Sequence, residues 1–364
     1  MRTAVIGLGE AGTSIHLPAL RGLPAVTVVG AADPDDARRR AVAEKAGIPV
    51  FADVAEMLAN SEPELVIVAS PPALHAAHCM ASLEAGTHVV CEKPFAASVR
   101  EARAVVARAA ELNRQVSINH EFRAMPVFRD LLAAVRAESG GPRVVQVWQL
   151  IDRNPAAEPG WRGQLRRRSL YEAGVHLVDL VLQAFAETPH TVRATCSSGD
   201  GHPSGSDAIV LATLEFARGR LAQVIQCRVH RGDRQYFEVR ADTDDKSFRA
   251  SFGGRARLTA GLLRSTRPHV AVERGASGIA WRERGAGRSV FARNGSSPLV
   301  AATRDVIHAT VQAIRGRARL PFPASDGVET LRVVAAAYLA AELGHAVSLD
   351  GPEREATEAL TLAE

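Results

Sequence analysis

Four cysteines are all the 364-residue chain has, and Cys79, Cys91, Cys196 and Cys227 lie far apart. They form neither the CxxC pairs of a zinc site nor the density of a disulfide scaffold, so they read as buried free thiols and no metal is expected. Long apolar runs are also missing: none reaches the ~18–20 residues that a membrane-spanning helix needs. Met1 leads within two residues into a buried-strand pattern and not into a signal peptide. The expectation is a cytoplasmic protein without a membrane partner. Charge of one sign is scarce too, since 44 basic against 40 acidic residues leave a net +4. That excess is too small and scattered to argue for nucleic acid. Arg38 to Arg40 and Arg166 to Arg168 are the only basic clusters, each expected on a solvated surface. There is no repeat and no low-complexity tract.

What is present is an ordinary folded composition, 46% hydrophobic and 23% charged. At ~100–200 residues per domain, the length suggests two domains. Apolar strands at Thr3 to Gly7, Thr27 to Ala32, Leu65 to Ala69 and His88 to Cys91 alternate with Ala-rich helical stretches at Asp35 to Ala46, Leu74 to Ala85 and Ser98 to Leu112. Continuous apolar strands separated by amphipathic helices imply a parallel sheet covered on both faces, a doubly wound α/β Rossmann domain over residues 1–122. From 123 to 350 the pattern becomes α+β. Strand-like segments at Val144 to Ile151, Ala208 to Phe216, Leu221 to Val229 and Tyr236 to Arg240 predict an open, mostly antiparallel sheet. Arg218-Gly219-Arg220 reads as a hairpin turn, and helices return at Leu299 to Ile314 and Asp326 to Leu343. Residues 351–364 read as a poorly ordered tail.

Gly7-Leu8-Gly9-Glu10-Ala11-Gly12 is a GxGxxG turn between a strand and a helix. The first glycine permits the tight turn, the second a close backbone approach to a pyrophosphate, and the third helix–strand packing. The helix N-terminus then favours phosphate. Asp33 ends the second strand roughly 20 residues on, where a carboxylate accepts the ribose 2′-OH hydrogen. It favours NAD over NADP, because it repels a 2′-phosphate, while Arg38 to Arg40 pull the other way. The plainer alternative is that the glycines only shape a turn and Asp33 only caps a helix.

Cys91-Glu92-Lys93-Pro94, together with the glycine turn, Ala69-Ser70-Pro71-Pro72-Ala73-Leu74-His75 and Ala85-Gly86-Thr87-His88-Val89-Val90, resembles the Gfo/Idh/MocA oxidoreductase family from Arg2 to about Leu349. The resemblance implies that Lys93 contacts the reacting hydroxyl or carbonyl, that Glu92 lies beside the nicotinamide ribose, and that Pro94 fixes a turn through a cis bond. Ser70, Pro71 and His75 would line the nicotinamide side, with Pro72 where asparagine is common. A lysine at the carboxyl end of a parallel strand faces the crevice where such sheets bind ligands, and its ammonium would stabilise alkoxide character as hydride leaves. A surface Glu92–Lys93 salt bridge is the competing reading.

The family's second motif, a carboxylate four residues before a histidine, is matched by Glu172 and His176, with Asp179 following. On a helix these three share a face. By resemblance His176 exchanges the substrate proton, for which an unperturbed pKa near ~6.5 suits it. Two departures stand out: Glu172 replaces the usual aspartate, and Arg166-Arg167-Arg168 replaces a glycine-rich segment. By resemblance Glu172 would orient His176 or touch substrate as part of the catalytic site, but Ser169-Leu170-Tyr171-Glu172 also fits a capping box, which competes with that role. Asn119, His120 and Arg123 at the domain junction, and Trp161 and Arg162 before the histidine helix, could reach substrate or serve only in packing.

The resulting expectation is hydride exchange between NAD and a secondary alcohol of a sugar, cyclitol or related polyol, in a homodimer or homotetramer. A redox-neutral sugar-modifying enzyme with tightly held NAD and a non-catalytic dinucleotide sensor are the alternatives.

Overall fold

The structure, a computed structural model, describes residues 1–152, 160–198, 206–231, 235–253, 257–261, 269–273 and 278–363. It divides into two compact units: Met1–Ala124 with Leu299–Leu339 and Leu349–Glu364, and Met125–Pro298 with Ala340–Ser348.

In the first unit β1 (Arg2–Ile6), β2 (Thr27–Ala32), β3 (Val50–Phe51), β4 (Leu65–Val68), β5 (His88–Cys91) and β6 (Val116–Ile118) form one sheet in the order β3-β2-β1-β4-β5-β6. Every pairing is parallel. The apolar runs Leu65–Val68 and Val89 to Cys91 are buried throughout because helices cover both faces of the sheet, as the continuous hydrophobic runs require. Helices start where a side chain takes an orphan N–H. Asp35 caps Asp36–Ala46, Asp53 caps Val54–Ser61 and Ser98 caps Val99–Glu111. The strand order reverses between β1 and β4, so a crevice opens beyond the carboxyl ends of those strands.

The unit is not confined to the first stretch of chain. The helix Pro298–Ile314 supplies Ile307 and Val311 to the core built by Val5, Leu20, Ala31 and Ile67. The tail is also ordered, against expectation. Helix Arg354–Ala359 is followed by Leu362, which is fully buried and donates its N–H to the Ala97 carbonyl at 2.7 Å. An apolar side chain with a core to enter outweighs the usual fraying of a terminus.

The second unit holds a nine-stranded sheet made of β7 (Val144–Ile151), β8 (Thr191–Ser197), β9 (Ile209–Phe216), β10 (Arg220–Cys227), β11 (Gln235–Asp242), β12 (Ser247–Gly253), β15 (Ile279–Arg284), β16 (Gly287–Arg293) and β17 (Val347–Ser348). Between β12 and β15, β13 (Arg257–Gly261) and β14 (His269–Glu273) pair as a separate ribbon. The large sheet is antiparallel except where β10 runs parallel to β7. β9 and β10 meet at Arg218 and Gly219, both in the left-handed region with φ of 62° and 69°, which makes the expected hairpin. The helix Val175–Phe185 is buried almost throughout, and Phe185 stacks on Phe216 at 4.0 Å. All four cysteines are free thiols, Cys79 and Cys91 buried and Cys196 and Cys227 half-buried. Among the described residues no helix is long and apolar enough to cross a membrane.

Candidate active site

The three glycines have three different surroundings. Gly7 has φ 95°, and a Cβ there would lie 2.6 Å from the Ala69 carbonyl. A Cβ on Gly12 would collide with the Gly7 carbonyl oxygen. Gly9 is different: a Cβ would meet nothing closer than an Arg38 guanidinium nitrogen at 4.0 Å. Packing therefore demands glycine at 7 and 12, while the space at 9 is open and fits a pyrophosphate at the start of the π-helical turn Gly12–His16. Asp33 is buried beside this turn, its carboxylate accepting the Leu8 N–H at 2.7 Å and the Asp35 N–H at 2.9 Å. A carboxylate has about four lone-pair sites, so capacity for ribose hydroxyls remains. Of the three consecutive arginines, Arg38 lies 3.6 Å from Asp33, Arg39 donates to the Asp33 carbonyl at 2.8 Å, and Arg40 pairs with Asp36. Donor set and shape thus fit a dinucleotide.

At the end of β5 the chain turns through a cis Lys93–Pro94 bond. Glu92 is buried, and its Oε1 accepts from His16 Nε2 and Asn119 Nδ2, both at 2.7 Å, while Oε2 accepts the Lys93 main-chain N–H at 3.1 Å. Burial works against its charge, but the His16 hydrogen bond and charge, the Lys93 charge and the Asn119 amide outweigh it and hold the carboxyl down at about 2. Glu92 therefore stays ionised. The Glu92–Lys93 pair is no surface salt bridge: Glu92 is buried, its hydrogen bonds come from His16, Asn119 and the Lys93 main chain, and the Lys93 charge acts on it without a hydrogen bond from the ammonium.

His75 is enclosed, with Nδ1 2.7 Å from the Pro94 carbonyl and Nε2 2.7 Å from the Ser70 carbonyl. Burial lowers its pKa even though both carbonyls favour protonation. Its ring ties the segment after β4 to the Lys93–Pro94 turn, and Ser70 in turn meets His78 at 2.8 Å. Burial and the charges of Arg123 and Lys93 keep His120 well below the ordinary imidazole value. Arg123 pairs with Asp326 at 2.7 Å and lies over the Phe322 ring.

In the second unit the capping box is not formed. Ser169–Gly174 is a π-helical turn running into Val175–Phe185. Both Arg168 and Ser169 donate their main-chain N–H groups to the Asp207 carboxylate, and Ser169 Oγ donates to the Asp207 carbonyl at 2.7 Å. A distant aspartate supplies what a local glutamate was expected to supply. Glu172 instead accepts from Arg162 Nε at 2.8 Å and Arg228 Nη1 at 2.9 Å, with Arg168 Nε at 3.8 Å. Arg162 also lies over the Trp161 ring at 4.6 Å. Arg168 is thus fully buried, contrary to the solvated surface expected for it, because Glu172 compensates its charge. His176 and Asp179 are buried in the following helix.

Sequence reading passed over His16, Asp207 and Arg228. Their partners are distant in the chain, so no local pattern marks them. Only the position of His16 just after the glycine turn offered a clue.

Residues 1–120 match the "Oxidoreductase family, NAD-binding Rossmann fold" and residues 128–244 the "GFO/IDH/MocA C-terminal domain". The chain is 25% identical to D-apiose dehydrogenase of Paraburkholderia graminis over 97% of its own length and 91% of that protein's. It is 34% identical to inositol 2-dehydrogenase 1 of Saccharopolyspora erythraea over 60% of its own length and 65% of that protein's. Two uncharacterized oxidoreductases of Schizosaccharomyces pombe are matched over about half their length, 55% and 54%. Among solved structures, GenD2 from gentamicin A biosynthesis in complex with NAD superposes with TM-score 0.79 at 20% identity, over 96% of this chain and 97% of that one. Aldose-aldose oxidoreductase from Caulobacter crescentus superposes with TM-score 0.78 at 21% identity, over 96% and 99%. With both domain matches together covering more than half of its length, the chain belongs to the Gfo/Idh/MocA family of NAD-binding oxidoreductases.

Proposed function

We propose that this protein exchanges hydride between NAD and a secondary alcohol or ketone of a sugar, cyclitol or related polyol. The observation that carries the reading is the β5 turn, where a buried, ionised Glu92 accepts three hydrogen bonds and the next residue is Lys93. NAD, when bound, takes or returns the hydride. Lys93 supplies positive charge to the reacting oxygen and lowers the cost of its alkoxide character. His176 accepts the hydroxyl proton on its imidazole and returns it in the reverse direction. Relatives named inositol 2-dehydrogenase and D-apiose dehydrogenase support the substrate class. A panel of sugars and polyols assayed for NADH formation tests the proposal, and no turnover with any of them would refute it.

Gly9, Asp33 and the helix that follows the turn would hold the dinucleotide. Because Gly9 has open space around it, Gly9→Ala is expected to leave thermal stability unchanged and to weaken NAD binding by at least tenfold, which calorimetry reads. Asp33→Ser should weaken NAD and improve NADP relative to it, since a charge that repels the 2′-phosphate is removed and Arg38 is released. A wild-type enzyme that already prefers NADP would refute this assignment.

The outer face of the large sheet supports self-association as a homodimer or homotetramer. Leu211 on β9 and Leu221 on β10 point to the same side and are 47% and 42% exposed. Light scattering at micromolar concentration should give a multiple of the chain mass, and Leu211→Arg with Leu221→Arg should reduce it to one chain.

A further inference from the structure

A cavity of about 340 Å³ opens between the helix Leu17–Arg21 and the helix Asp36–Ala46 of the first unit. Small side chains leave the space: Pro18 on one helix and Ala41 and Ala46 on the other do not fill it. Leu8, Leu17 and Val42, all buried, give it an apolar floor. Interiors are otherwise packed to crystal density, and ligand pockets begin at about 300 Å³. The charge around this floor is one-sided. Arg21, Arg38 and Lys45 line the cavity, and no acidic residue does. Arg38 is shared with Asp33 and Asp35, each at 3.6 Å and outside the lining. Arg21 reaches the Lys45 carbonyl at 3.5 Å and has no ion pair among the described residues, and the Lys45 ammonium has neither an ion pair nor a hydrogen bond among them. Helix dipoles favour each of these two cations in a last turn, but their convergence with Arg38 on one apolar space puts positive charge where an anion would be held.

We propose that this cavity binds an amphipathic carboxylate, with its aliphatic body over Leu8, Leu17 and Val42 and its charged end between Arg21 and Lys45. At ~30 Å³ per heavy atom, the share a water has in the liquid, the space holds about eleven heavy atoms, close to the size of octanoate. A guanidinium and an ammonium beside an apolar wall make charge-assisted bonds to a carboxylate that water screens less than on an open surface. The site is separate from the dinucleotide site proposed above, since neither Gly9 nor Asp33 lines it, although Arg38 borders both.

Calorimetry of the full chain titrated with sodium octanoate tests the site, run with and without NAD so that the result stands whether or not the dinucleotide binds. One octanoate per chain is expected, and butyrate, too short to cover the floor, should bind about tenfold more weakly or worse. Arg21→Gln combined with Lys45→Gln should weaken octanoate by about tenfold or more, because both charges are lost. Ala41→Phe, which puts a ring into the space from its rim, should abolish octanoate binding. Thermal midpoints of both variants should stay within a few degrees of wild type, since all three substituted side chains are exposed. Should Ala41→Phe not fold, the paired glutamine variant decides alone. Absence of binding at millimolar octanoate overturns the proposal. Octanoate binding that the variants leave unchanged overturns it too, because the ligand then sits elsewhere. So does binding that saturating NAD abolishes, because the cavity is then part of the dinucleotide site.

Discussion

Lys93→Met is expected to cut turnover by about two or more orders of magnitude, the scale for losing an electrostatic or acid/base group, while NAD affinity stays within a few-fold. The structure explains why these two effects separate. Glu92 uses the main-chain N–H of residue 93, which methionine retains, and its other partners are His16 and Asn119. The cluster behind the β5 turn therefore survives the substitution, and the glycine turn and Asp33 are untouched. Steady-state turnover on an accepted polyol and calorimetric NAD binding measure the two effects. Full turnover would remove Lys93 from the mechanism.

Glu172→Ala should be among the most destabilising single changes in the second unit, at about 3–5 kcal/mol, the scale for removing one partner of a buried ion pair. The size follows from the burial of its partners. The side chains of Arg168 and Arg228 are 0% and 1% exposed, and that of Glu172 is 9% exposed. Solvent screens little of this interaction, although Arg162 at 32% is partly hydrated. Loss of a helix cap would cost only about 0.5–2 kcal/mol, and no such cap exists here. Glu172→Gln keeps the shape and one acceptor oxygen but removes the charge, so it should fall between wild type and alanine instead of being silent. Urea unfolding of both variants, with turnover scaled to folded protein, gives the answer. A loss below about 1 kcal/mol in Glu172→Ala would show that the arginine cluster does not depend on this carboxylate.

Features encoded over short stretches were legible in the sequence. The apolar runs of β1, β2, β4 and β5 and the hairpin at Arg218 and Gly219 appear where local pattern places them. The glycine turn was readable because each glycine answers a local steric demand or an open approach. Short strands escaped notice: β3 has two residues and β6 three, too few to show a period. Ser169 and Glu172 satisfied a capping pattern, yet Asp207 and the arginines, far off in the chain, offered stronger partners. The burial of Arg168 was unreadable for the same reason, since its compensation depends on how the chain returns. His16 shows the limit most sharply, because its partner Glu92 lies 76 residues away.

The return of the chain to its starting unit also governs the order in which the protein can be completed. The strands of the first sheet leave the ribosome before those of the second, but Ile307 and Val311, which close the first core, are made after the whole of the second sheet except β17. Until then the nascent first unit must wait with an apolar opening where the helix Pro298–Ile314 belongs, and closing it spans a long loop. Synthesis thus passes through a period in which the second unit can fold most of its sheet while the first cannot seal. A chain that stops after Pro298 is therefore an exposed, aggregation-prone intermediate and not a smaller folded protein.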